Sequence, residues 1–137
     1  MYKPDCVCIV ESWLSSDISN SEFCIDGYNI VRLDRNRHGG GVLLFINSVF
    51  THHLVFTGSP ELELVVVTIH LLLVSVTIAL FYRPPGSHSV ILDNLLTALC
   101  THINPSLLSN FILLGDFNVN YFDTSHPFIF YIAFCLK

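Results

Sequence analysis

The chain has 137 residues, of which 52% are hydrophobic and only 12% charged, and its net charge is −5. That length fits a single domain, and so apolar a composition excludes an intrinsically disordered chain. The acidic balance argues against a broad basic surface for nucleic acid. Residues 5–10 form a short apolar run that reads as a buried strand, with Cys6 and Cys8 on one face. Glu11-Ser12-Trp13-Leu14 follows at its end, and Ser15, Ser16 and Asp17 supply turn or helix-start chemistry. A second strand is expected over residues 28–32, followed by a polar loop. Arg32, Arg35, Arg37 and His38 form a local basic stretch there, able to touch phosphate. Gly39-Gly40-Gly41 leads into the strand-like run 42–46. Glycines permit positive φ, and with no helix signal after them they read as a tight lead-in to a strand rather than a phosphate cradle.

Residues 64–82 contain no Asp, Glu, Lys or Arg, and an uncharged stretch of that length can span a bilayer. Two β-branched runs, 65–69 and 74–78, favour instead two adjacent buried strands joined by a short turn. A small membrane-associated protein with a span at 64–82 is the alternative. Arg83-Pro84-Pro85-Gly86 stops the block. Ile91, Leu92, Leu95, Leu96, Leu99, Cys100 and Ile103 then recur at helical spacing, closed by Asn104-Pro105. The continuous apolar run 111–114 predicts a fully buried strand, with Gly115-Asp116-Phe117-Asn118 at its C-terminal end. Beyond Asp123 the chain turns apolar. The five cysteines, Cys6, Cys8, Cys24, Cys100 and Cys135, are irregularly spaced and read as buried free thiols, not as a disulfide framework or zinc site. The N-terminus shows no signal-peptide pattern.

The polar residues that interrupt this apolar chain collect at strand ends: Glu11, then Tyr82 and Arg83, then Asp116 and Asn118. In layered α/β proteins, sites form where strands end. One or two carboxylates suit a hard cation such as Mg²⁺, which keeps several waters and takes further ligands from phosphate. Asn and Tyr can donate hydrogen bonds to phosphate oxygens. Singly, each residue also has a structural explanation as a turn or strand-end group.

Five blocks in order are similar to the apurinic-like endonuclease domain of non-LTR (LINE-type) retrotransposons: Glu11-Ser12-Trp13-Leu14, Gly27-Tyr28, Arg32 to Arg37 with Gly39-Gly40-Gly41-Val42, Tyr82-Arg83-Pro84-Pro85, and Leu114-Gly115-Asp116-Phe117-Asn118. That domain belongs to the endonuclease/exonuclease/phosphatase superfamily. The resemblance implies an α/β fold, a two-sheet β-sandwich with outer helices, here partial, over residues 1–123, with an apolar tail at 124–137 that has no family counterpart. It implies Glu11 as the metal ligand, Tyr82, Asp116 and Asn118 as catalytic residues, and Arg83 in substrate binding. Tyr82 would hold the scissile phosphate, Asp116 would position or deprotonate water, and Asn118 would stabilise the transition state. The cofactor implied is Mg²⁺ or Mn²⁺, with no small-molecule cofactor. The partner implied is DNA, nicked by complete relatives, and the setting is intracellular, nuclear if functional.

The family's opening strand with its active-site Asn has no match ahead of residue 5. The later Asp and the final Ser-Asp-His stretch have none before Lys137. His126 lies too near Asp116 in sequence to replace that histidine. The expectation is a domain truncated at both ends and inactive alone, with a catalytically dead binding module as a further alternative.

Overall fold

Two sheet layers, one antiparallel and one mixed, follow from the strand pattern. The computed structural model describes residues 3–119; the boundary expected at 123, His126 and the tail 124–137 lie outside the described residues. The first layer is a three-stranded sheet of β1 (Cys6–Val10), β2 (Tyr28–Leu33) and β3 (Val42–Asn47), with β3 in the centre. The second is a four-stranded sheet in the order β4 (Thr51–Ser59), β5 (Leu62–His70), β6 (Ser75–Tyr82) and β7 (Phe111–Asp116). Only β6 and β7 run parallel, which requires the long crossover carried by α1 (Val90–His102) and a 3-10 turn at Pro105–Asn110.

Alternation along the strands divides the apolar side chains between two cores. Val42, Leu44 and Ile46 of β3 meet Val65, Val67 and Ile69 of β5 and Ile78, Leu80 and Tyr82 of β6 between the sheets. Cys6 and Cys8 pack against the same core from β1 as free thiols, whereas Cys24 and Cys100 are exposed. The opposite face of β5 and β6 presents Leu64, Val66, Ala79 and Phe81 to Leu92, Leu95, Ala98 and Ile103, the apolar stripe of α1. The architecture is therefore a partial two-sheet sandwich with an outer helix.

Residues 64–82 form parts of β5 and β6 with a turn between them, and Leu72 and Leu73 at its tip are fully exposed. The single span considered for this stretch is thereby excluded. No helix among the described residues is long and apolar enough to cross a membrane. The strand 111–114 also differs from expectation. It pairs only with β6 among the described residues, so it forms a sheet edge. Phe111 and Leu113 pack against the helix side, while Ile112 and Leu114 on the inter-sheet side are 43% and 38% exposed. A continuous apolar run signals burial on both faces only when both faces are covered.

Candidate active site

At one end of the sandwich the first strand stops in an unusual backbone. Glu11 and Trp13 have φ of 54° and 56°, and the third non-glycine residue at positive φ among the described residues is Asn118, at 45°. Such conformations are sterically unfavourable for residues with a Cβ and persist only where surrounding contacts hold them. Here the contacts are identifiable. Ser12 N donates to Gly41 O at 3.2 Å and Trp13 N to Gly40 O at 3.0 Å, so the triglycine segment grips the chain just after Glu11. Gly39, Gly40 and Gly41 all have positive φ. At Gly41 the φ of 85° favours glycine, and a Cβ there would also displace Ser12 Oγ, 2.5 Å away.

The Glu11 side chain is exposed and bridges the two sheets. Its Oε1 accepts a short hydrogen bond from the Tyr82 hydroxyl at the end of β6, and its Oε2 accepts from Trp13 Nε1 at 3.4 Å. The Tyr82 hydroxyl, the Trp13 indole and nearby Arg35 hold the Glu11 carboxyl below its usual range. Burial first, and then the hydrogen bond to Glu11, push the Tyr82 phenol up to about 12. The pair therefore stands at neutral pH as an ionised carboxylate beside a protonated phenol.

Beside Tyr82, in parallel register, lies Asp116. Gly115 makes this possible: its φ is 140°, and a Cβ there would meet Phe81 O at 1.7 Å. Asp116 is exposed, and its Oδ1 accepts from Asn118 N at 2.9 Å, the local turn typical of Asp. Asn118 is also exposed, and its Nδ2 donates to Arg83 O at 2.7 Å. Arg83 returns the contact: Nη1 donates to Asn118 O at 3.0 Å and Phe117 O at 3.3 Å, and Nη2 to Ser87 O at 2.5 Å. Arg83 is 7% exposed, and its guanidinium engages backbone carbonyls, fixing the loop that presents Asn118. Glu11, Tyr82, Arg83, Asp116 and Asn118 thus form one region linked by hydrogen bonds and strand register, although 71 residues separate Glu11 from Tyr82.

The basic stretch expected to be free for phosphate is engaged internally. Arg32 Nη2 donates to Ile18 O at 2.6 Å, Arg35 pairs with Glu63 at 2.8 Å, and Arg37 pairs with exposed Asp17. Glu63 is the residue that sequence reasoning passes over. It is 2% exposed, faces the inter-sheet side opposite Tyr82, and supports the triglycine segment. Its one signal is position: it is the last charge before the uncharged run.

The donor set offers oxygen, and the Glu11 carboxylate keeps lone pairs beyond its two hydrogen bonds. No cluster of three or more His, Cys, Asp or Glu side chains occurs among the described residues. These residues fit a hard divalent cation that retains most of its water, not a zinc ion held in a closed protein cage.

Two sheets with a helix on the outer face of one make a partial α/β sandwich consistent with the endonuclease/exonuclease/phosphatase-type fold. Among solved structures, the human Nocturnin catalytic domain with bound sulfate anion is similar, at 17% identity and a TM-score of 0.56. The match covers 87% of this chain and 53% of that one, so the chain spans about half the neighbour's length. No family model matches the sequence, and neither does any curated protein.

Proposed function

We propose that this chain is part of a divalent-metal-dependent endonuclease domain of the retrotransposon type, acting on the phosphodiesters of DNA when completed and inactive alone. The observation that carries the reading is the Glu11–Tyr82 hydrogen bond, which joins the two sheets beside Asp116. The retrotransposon assignment rests on the order of the five sequence blocks. The fold it needs is that of the Nocturnin catalytic domain, a structure that carries a sulfate anion.

Glu11, ionised because its pKa is depressed, would hold Mg²⁺ or Mn²⁺. Such an ion would supply neutralisation of charge on phosphate and on the leaving 3′ oxygen. Tyr82 keeps its proton at neutral pH, and that single O–H, given to Glu11 here, would turn to a phosphate oxygen once a cation took up the Glu11 carboxylate. Asp116, open to solvent, can orient a water and accept its proton. Asn118 has a second amide N–H beyond the one given to Arg83 O, available to a phosphate oxygen in the transition state. Arg83 acts on substrate indirectly, by holding the 117–118 backbone.

No imidazole hydrogen-bonds to any member of this set among the described residues. Cooperating catalytic groups lose orders of magnitude in rate when one is missing. A supercoiled-plasmid nicking assay with Mg²⁺ tests the reading. The chain alone is expected to show no activity above background. A chimera in which a complete relative supplies the remaining strands is expected to nick, and to lose activity with Glu11→Gln or Asp116→Asn. A chimera that nicks equally well with either substitution contradicts the assignment.

A further inference from the structure

Glu63 presents a problem that the catalytic reading leaves open. A carboxylate at 2% exposure is costly unless charged and polar partners satisfy it, and an apolar residue at such a site is often as stable or more so. Its partners all lead toward Glu11. Glu63 Oε2 accepts a short hydrogen bond from Gly41 N, and Oε1 accepts from Arg35 Nη1 at 2.8 Å. Arg35 Nε donates in turn to Gly39 O at 3.0 Å, and its guanidinium lies 6.0 Å from the centre of the Tyr82 ring. One buried acid therefore holds both ends of the triglycine segment from the opposite sheet. The carbonyls of Gly40 and Gly41 accept from Trp13 N and Ser12 N, in the turn whose residues Glu11 and Trp13 hold unfavourable φ. The ion pair lies against the segment: a Cβ on Gly40 would lie 2.6 Å from Glu63 Oε2 and 2.5 Å from Arg35 Cζ, so any side chain there would displace the pair.

We propose that Glu63 is a positioning residue which, through Arg35 and the Gly39–Gly41 segment, fixes the backbone at Glu11 and so aims its carboxylate at the divalent cation. The triglycine segment is then a clamp on a ligand-bearing turn. The N–H groups of Gly39 and Gly41 that a phosphate cradle would need are committed to Asn36 O and Glu63. The proposal rests on Glu11 being the cation ligand, and the experiment separates the two ideas.

Trp13 is the only tryptophan, and it donates to Glu11, so its fluorescence reports the turn directly without metal. Mn²⁺ affinity, read from the electron paramagnetic resonance of the free ion, reports the ligand. Glu63→Gln is expected to shift Trp13 emission and to weaken Mn²⁺ binding roughly 10- to 100-fold, the range found when a group supporting a metal ligand is lost. Leu95→Ala, which loosens the same sheet from its helix face, is expected to lower stability yet leave both signals unchanged. Should Glu63→Gln fail to fold, Arg35→Met, which withdraws the less buried partner, carries the same expectation. Wild-type emission and affinity in the folded Glu63→Gln or Arg35→Met chain overturn the proposal, as does an equal loss in Leu95→Ala. Mn²⁺ affinity that survives Glu11→Gln overturns the cation reading instead, and Trp13 emission then still decides whether Glu63 holds the turn.

Discussion

Replacing Gly115 by Ala tests whether β7 is pressed onto β6 as closely as the site demands. An added Cβ would sit 1.7 Å from Phe81 O and 2.7 Å from Phe81 C, both far inside van der Waals contact and both against backbone, which cannot swing aside. The φ of 140° adds strain of about 1–3 kcal/mol for a residue with a side chain. Forcing the strands apart adds overpacking of similar size, so the total loss is roughly 2–6 kcal/mol. Set against roughly 5–15 kcal/mol for a whole domain, this is a large fraction of the stability. Gly27→Ala is the control: its φ is 83°, and nothing lies within 4 Å of the added Cβ. It should cost only the conformational part, about 1–2 kcal/mol. Urea unfolding followed by circular dichroism gives both values. Equal losses for the two variants would refute the close approach, and with it the placement of Asp116 beside Tyr82.

Four further outcomes follow from the same geometry. Leu95, fully buried between α1 and the sheet, should cost about 2–5 kcal/mol on truncation to Ala, measured by the same unfolding curve. Tyr82 should ionise near pH 12 in the folded chain against its ordinary value of 10.0, seen as the tyrosinate absorbance lost in Tyr82→Phe. Between those two values the folded state holds the proton that the unfolded state has released, so stability should fall as pH rises through that window. Glu11 has the opposite sense. Its depressed pKa adds stability above its ordinary value of 4.5 that is lost as pH falls through the folded value, so Glu11→Gln should flatten the acid limb of the stability–pH curve. Ile112→Lys, on the exposed face of the edge strand, should change stability by no more than about 0.5 kcal/mol while raising solubility in a precipitation assay.

Most of the sandwich is legible in the sequence because its strands are short apolar runs closed by glycine, proline or charge. The helix is legible because Leu92, Leu95, Leu99 and Ile103 keep its period. β4 is not, since Thr-His-His-Leu-Val-Phe-Thr-Gly-Ser alternates poorly, lies mostly in partial contact with solvent, and slips register at Leu54/Phe56 and Thr57/Ser59. Its strand character comes from pairing with β5, a tertiary effect that local pattern does not carry. The exposure of β7 is hidden for a related reason: apolar content shows what a strand can bury, not what stands opposite it. At the site, Glu11, Tyr82, Asp116 and Asn118 are visible as polar residues at strand ends. The buried Glu63–Arg35 pair is not, because a charge at the head of an apolar run resembles a solvated strand end until the partner 28 residues away is placed. The φ strain at Glu11 and Trp13 likewise has no signature in their residue types, whereas Asn, as at 118, tolerates the left-handed region.

The proposed function requires a single hard-cation site bounded by Glu11, Tyr82 and Asp116. Paramagnetic broadening of assigned amide resonances by substoichiometric Mn²⁺ tests it most directly. Selective loss of signals around 11–13, 82–83 and 116–118, abolished by Glu11→Gln, is the predicted result. Broadening centred on the exposed His53–His70 pair at the far end of β5, with the signals around Glu11 untouched, would contradict it.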